Sequence, residues 1–172
     1  MGRKVRKRSL KTRERSLLLA LLRPECSRSK LVLKEDLSLQ KWEKILLTAE
    51  LFAVKPTIAH TVCNWSKSLE LPEEILYQAR EILAEETARN GLLLMDLISL
   101  SAALESAGIP FIVLKGTVLI IAYYDTPGAR HLDDIDLLVR EEDLERAEEV
   151  LKGLGYHYAV EGEMISVDGR KI

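Results

Sequence analysis

Two cysteines, Cys26 and Cys63, are too few for a disulfide framework, and neither sits in a C-x-x-C pair. The three histidines, His60, His131 and His157, are dispersed, which argues against a zinc site with the usual ligand spacing. Long apolar runs are missing as well. The run from Leu17 to Leu22 follows a basic segment, as the apolar part of a signal peptide would. It is stopped by Arg23 and Pro24, no small-residue cleavage site follows, and it falls far short of the roughly 18 apolar residues of a spanning helix. The expectation is a cytoplasmic protein with no membrane partner. Internal repeats and low-complexity segments are also lacking.

What is present suits a packed core. The 172 residues are 47% hydrophobic, enough for one domain or for one core with a helical appendage. The net charge of −2 is unevenly spread. Residues 1–16 carry eight Lys or Arg against Glu14 alone, a net of +7, which leaves −9 on the rest. Such asymmetry marks either a solvated extension or a tail for nucleic acid or a membrane surface. The chain is expected to divide into a basic, flexible tail (1–16), a helical region (17–91) and an α/β core (92–172).

Helical periodicity fills the first half. Trp42, Ile45, Leu46, Ala49 and Ala53 recur at three- and four-residue intervals, with Ser38 placed to cap the helix. Pro56 is expected to open a second helix containing Ile58, Ala59, Val62 and Cys63. Pro72 followed by Glu73 and Glu74 reads as a third start, because early proline and acids suit a helix N-terminus. That helix continues to about Ala107, with Gly108 as its terminal glycine. Trp42, Trp65 and His60 are read as packing residues rather than as functional ones.

The chemistry is concentrated between Ile109 and Val139. Pro110 to Leu114 reads as a buried strand, Val118 to Tyr124 as a helix, Asp125 to Arg130 as a turn, and Asp134 to Val139 as a second strand. Asp134 and Asp136, two apart on a strand, point to one face roughly 7 Å apart along the backbone. Ile135, Leu137 and Val139 face a core behind them. Two carboxylates so held can bind divalent cations for phosphoryl chemistry. The same acids could also simply be the wet face of an edge strand. A glycine turn upstream shifts the balance: Gly116 opens a helix whose backbone N–H groups suit phosphate, with Lys115 and Arg130 as cationic donors. Arg130 could alternatively pair with Asp133 or Asp125, and Lys115, just before the turn, could instead point away and pair with a Glu or Asp.

The stretch AGIPFIVLKGTVLIIAYYDTPGARHLDDIDLLV, followed by an acidic helix and LKGLGY, resembles the bacterial uncharacterised nucleotidyltransferase family of the DNA polymerase β-type superfamily. The matching pieces are Leu114-Lys115-Gly116, Tyr124 or Tyr123 at the helix end, Arg130, and Asp134 through Val139. The resemblance is strong over residues 92–156 and reaches back more weakly to about residue 40. It implies an α+β fold, an N-terminal helical region packed on a small mixed sheet. It also implies transfer of a nucleoside monophosphate from an NTP to an unidentified acceptor. Asp134 and Asp136 would be the catalytic, Mg²⁺- or Mn²⁺-binding pair. Lys115, Gly116, Thr117 (backbone and hydroxyl) and Arg130 would bind the nucleotide, and Asp133 would support the site from outside. The family pattern has a third carboxylate on a later strand, before a His-Trp pair. No such pair occurs up to Ile172, so truncation relative to the family is expected. Asp168 is the one acid in a partly similar position, in a Val-Asp-Gly-Arg stretch that also reads as a hairpin turn. Two further readings follow: a nucleotide- or partner-binding module without catalysis, and a nucleic-acid-binding protein using the basic N-terminus.

Overall fold

The computed structural model describes residues 12–22, 38–66, 71–158, 165–167 and 170–171. Residues 1–11 and Asp168, which carry two of the expectations above, lie outside the described residues. The chain divides into two compact units, Met1–Leu83 and Ala84–Ile172.

The first unit is built from helices α1 (Thr12–Leu21), α2 (Leu39–Leu51), α3 (Lys55–Trp65) and the beginning of α4 (Glu73–Ser106). Helix α1 begins inside the basic stretch and buries Leu17, Leu18 and Leu21. These pack with Trp42 and Ile45 of α2, Ile58 and Val62 of α3, and Ile75 and Ala79 of α4. The α2 residues are three and four apart because that spacing returns side chains to one face of a helix. Trp42 is fully buried, and its indole N–H donates to Gln78 Oε1 at 3.0 Å. Ser38 does occupy the N-cap of α2 with extended backbone, but its side chain makes no capping hydrogen bond. Ala53 leaves the apolar face: it is exposed at a left-handed φ of +52° in the turn that separates α2 from α3. Pro56 sits in the first turn of α3, where its missing N–H costs nothing.

In the second unit, α4 ends where expected. Gly108 takes φ +67°, and Ile109 N–H returns to the Leu104 carbonyl at 2.9 Å, closing the helix. Strand β1 (Phe111–Val113) and helix α5 (Lys115–Tyr123) follow, then a single 3₁₀ turn (Pro127–Ala129), strand β2 (Leu137–Val139), a second 3₁₀ turn (Glu141–Asp143) and helix α6 (Leu144–Gly153). Strands β1 and β2 pair antiparallel with Ile112 opposite Leu138. Three short strands, β3 (His157–Tyr158), β4 (Ile165–Val167) and β5 (Arg170–Lys171), pair antiparallel in that order. The class is α+β. The mixed sheet expected from the sequence is represented among the described residues by antiparallel pairs alone.

Two apolar clusters hold this unit. Leu93, Leu97 and Leu100 of α4 pack with Ile120, Leu132, Ile135 and Tyr156. Leu104 and Ile109 pack with Ala147 of α6, flanked by Phe111 and Val139. Arg146 ties α6 back to the end of α4, donating to Asp143 Oδ1 at 2.8 Å and to the Ala107 carbonyl at 2.6 Å.

Candidate active site

The β1–β2 pairing brings the glycine turn beside the two aspartates. The ladder runs one residue past the strands, since Leu114 N–H donates to the Asp136 carbonyl at 2.9 Å. Asp134 and Asp136 therefore precede β2 rather than lying inside it. Ile135 between them is buried in the core, and Leu137 and Val139 pack on the same side. The carboxylates are thus on the opposite, half-buried side, as the two-residue period of extended chain demands. Leu138 continues that face and is exposed opposite the exposed Ile112.

Lys115 reaches across to this face. Its Nζ lies 2.7 Å from Asp136 Oδ1, with the lysine side chain 71% exposed and the aspartate side chain 25% exposed. The Asp136 hydrogen bond and charge, joined by the charge of Asp134, raise the lysine above its ordinary pKa against a smaller opposing effect of desolvation. The backbone of Lys115 is left-handed, φ +51°. The conformation that usually falls to glycine is taken here by the residue before it.

Gly116 is needed for a different reason. A Cβ built on it would lie 2.9 Å from Leu132 Cδ1 and 3.7 Å from Arg130 Nε. Its lack of a side chain lets the start of α5 close on Leu132 and on the Arg130 guanidinium. The Nε of Arg130 is buried and has no hydrogen-bond partner. Thr117 is also inside, 1% exposed, and its hydroxyl has no partner either. Shut away from solvent, that hydroxyl does not face the open side on which the two aspartates lie.

Asn90 in the middle of α4 holds the loop that carries Arg130. Fully buried, it donates through Nδ2 to the carbonyls of Pro127 at 2.6 Å and Arg130 at 2.7 Å, while its Oδ1 is unpaired. One amide thereby satisfies the carbonyls on both sides of the 3₁₀ turn, which fixes where the arginine begins. Sequence reasoning did not single out Asn90. Its only signal was a poor helix former inside a long helix.

A charged network stands beside it. His131 Nδ1 lies 2.8 Å from Glu86 Oε1 and its Nε2 lies 3.0 Å from Asp133 Oδ1. Arg89 approaches both acids, 3.3 Å from Glu86 and 3.1 Å from Asp133. Burial alone would raise the Asp133 carboxyl, but the Arg89 hydrogen bond and the charges of His131 and Arg89 outweigh it and hold the group below its ordinary pKa. Asp133 thus pairs with Arg89 and His131, not with Arg130, the pairing that the sequence left open. Glu86, Arg89 and Asn90 are three and four apart on α4, so a single helical face supports the loop from Pro127 to Asp133.

Two carboxylates and an ammonium already seated on one of them form a position that favours a cation. Among the described residues no three His, Cys, Asp or Glu side chains gather in a way that could hold a metal ion. Magnesium does not require such a cage, since it is commonly held by one or two carboxylates together with substrate phosphates and water. Asp134 and Asp136 are two such carboxylates. Among the described residues no helix is long and apolar enough to cross a membrane.

A family model described as uncharacterised nucleotidyltransferase matches residues 38–168, most of the chain and all of the site. No curated protein and no solved structure gives a match.

Proposed function

Because this chain belongs to the uncharacterised nucleotidyltransferase family, we propose that it transfers a nucleoside monophosphate from an NTP to an acceptor, with Asp134 and Asp136 binding Mg²⁺ or Mn²⁺ on the pattern of the DNA polymerase β-type superfamily. The observation that carries this reading is the convergence of the Lys115-Gly116 turn on Asp136, held by the Leu114–Asp136 backbone bond and the Lys115–Asp136 ion pair.

In the reaction an acceptor oxygen attacks the α-phosphorus, the bond from that phosphorus to the pyrophosphate oxygen breaks, and pyrophosphate leaves. A bound divalent ion would supply charge neutralisation for the triphosphate. The rest falls to the chain. Asp134 and Asp136 would hold the ion. Lys115 and the Arg130 guanidinium offer cationic donors to phosphate oxygens, and arginine suits them through its planar fork. Gly116 lets the helix start close on Leu132, with the Arg130 guanidinium beside it, and its N–H groups would serve phosphate oxygens. Asn90 fixes the backbone from which the Arg130 side chain starts, by donating to its carbonyl. Such positioning supplies most of the catalysis in phosphoryl transfer, because the protein contributes little covalent chemistry.

The test is a calorimetric titration of the whole chain with Mn²⁺, paired with label transfer from a radiolabelled NTP to a lysate acceptor pool. Replacing supporting groups around a metal typically costs 10–100-fold in affinity, so Asp134→Asn/Asp136→Asn should weaken Mn²⁺ binding by at least about tenfold and abolish transfer. Wild-type Mn²⁺ affinity in the double variant would sink the assignment.

A further inference from the structure

Lys115 joins two features that phosphate binding alone does not require. Its backbone occupies the left-handed region at φ +51°, disfavoured for any residue with a Cβ. Its ammonium, instead of extending into solvent, rests on Asp136 Oδ1 at 2.7 Å. From that left-handed position the side chain reaches Asp136, just before β2. The two partners differ in freedom. Asp136 is half-buried on backbone bonded to Leu114, whereas the lysine arm is largely exposed and can leave without disturbing the fold.

A divalent ion bound to the same oxygen at about 2.1 Å would stand within roughly 4 Å of the ammonium. Two cations that close repel each other, so both cannot hold Asp136 in this geometry. We propose that Lys115 is a tethered counter-ion that occupies the cation position of Asp136 and must swing away for a divalent ion to bind, with the nucleotide triphosphate receiving the released ammonium. This rests on the metal-binding reading of Asp134 and Asp136. It makes metal and nucleotide mutually supportive: each improves the other's binding because one lysine has to change partners for both. Without nucleotide, Asp136 stays neutralised by Lys115, and the site takes up metal weakly.

The experiment measures Mn²⁺ affinity of the full chain by electron paramagnetic resonance of the free ion. The variants are Lys115→Gln, Lys115→Gly and Arg140→Gln, with and without α,β-methylene ATP. In the absence of nucleotide, both Lys115 variants should bind Mn²⁺ about two- to fivefold more tightly than wild type, the range that exposed ion pairs cover. Arg140 lies four residues beyond Asp136, roughly 13 Å along extended chain and past the screening length of about 8 Å at physiological salt. Arg140→Gln should therefore leave the affinity within about 1.5-fold of wild type. With α,β-methylene ATP present, wild type should gain more Mn²⁺ affinity than either Lys115 variant gains. Lys115→Gly tolerates the left-handed backbone, so it keeps the test valid if Lys115→Gln folds poorly.

Unchanged or weaker Mn²⁺ binding in the Lys115 variants without nucleotide overturns the proposal, as does equal tightening in Arg140→Gln. If Asp134→Asn/Asp136→Asn abolishes Mn²⁺ binding while the Lys115 variants match wild type, the counter-ion role alone fails. If the double aspartate variant binds Mn²⁺ normally, the metal-binding reading fails and the counter-ion role with it.

Discussion

The two units solve burial differently. In the first, the core is formed by apolar faces meeting apolar faces, and Trp42, its largest buried side chain, has its one polar atom paired with Gln78. In the second, Asn90 Oδ1, Thr117 Oγ1 and Arg130 Nε are buried without partners, whereas left-handed non-glycine backbone occurs once in each unit, at Ala53 and at Lys115. Each unpaired buried group costs on the order of 1–3 kcal/mol. A helical scaffold has no reason to carry such costs. A site that must present donors and acceptors to a ligand does, and among the described residues the unpaired buried groups all lie on or next to the segments that form it. The contrast teaches that local rule-breaking marks the functional unit more clearly than any single motif.

The sharpest way to break this contrast is in the first unit. Trp42→Ala empties the center of that core and leaves Gln78 Oε1 without its donor, so it should cost about 3–5 kcal/mol by denaturant unfolding. A loss under about 1 kcal/mol would show that the helical core is looser than its burial implies.

Asn90→Ala probes the support beneath Arg130. It strands two buried carbonyls, those of Pro127 and Arg130, and should destabilise by about 1–3 kcal/mol. Because the loop carrying Arg130 is released at the same time, triphosphate affinity measured with a fluorescent NTP analogue should also fall. Stability lost with nucleotide affinity intact would make Asn90 a fold residue only.

The smallest effect has the opposite sign. Thr117→Val replaces an unpaired buried hydroxyl with a methyl of similar size, so it should stabilise by up to about 1 kcal/mol, a rise of roughly 2–4 °C in Tm for a chain this long. A fall in Tm would mean that the hydroxyl is satisfied by a bound water, and the second unit would then resemble the first more closely.

Much of the scaffold was legible because it depends on neighbours a few residues apart. The start of α4 after Pro72, its end at Gly108 and the buried face of α2 follow from capping, dipole and periodicity. Ser38 shows the limit of that reading: the cap position was legible, whereas the rotamer that would make a capping bond was not. Ala53 shows another, since the periodicity ran on past the residue where the chain turns.

The sequence by itself determined the class of the protein, the helical spans, and which residues could carry chemistry: a glycine turn beside Lys115 and two aspartates in alternation with Ile135 and Leu137. These depend on residue type and on the two fixed periods of helix and extended chain, which act over a few residues. Only the tertiary structure decided the partnerships. Lys115 meets Asp136 across 21 residues, Asn90 meets Arg130 across 40, and His131 meets Glu86 across 45. No local preference reaches that far. The antiparallel β1–β2 ladder brings Lys115 to Asp136, and packing of α4 in the same core as Leu132 and Ile135 brings Asn90 and Glu86 to the loop before β2. The tertiary fold also assigned the close contact to Gly116, where a Cβ would meet Leu132, while the left-handed backbone fell to Lys115 before it.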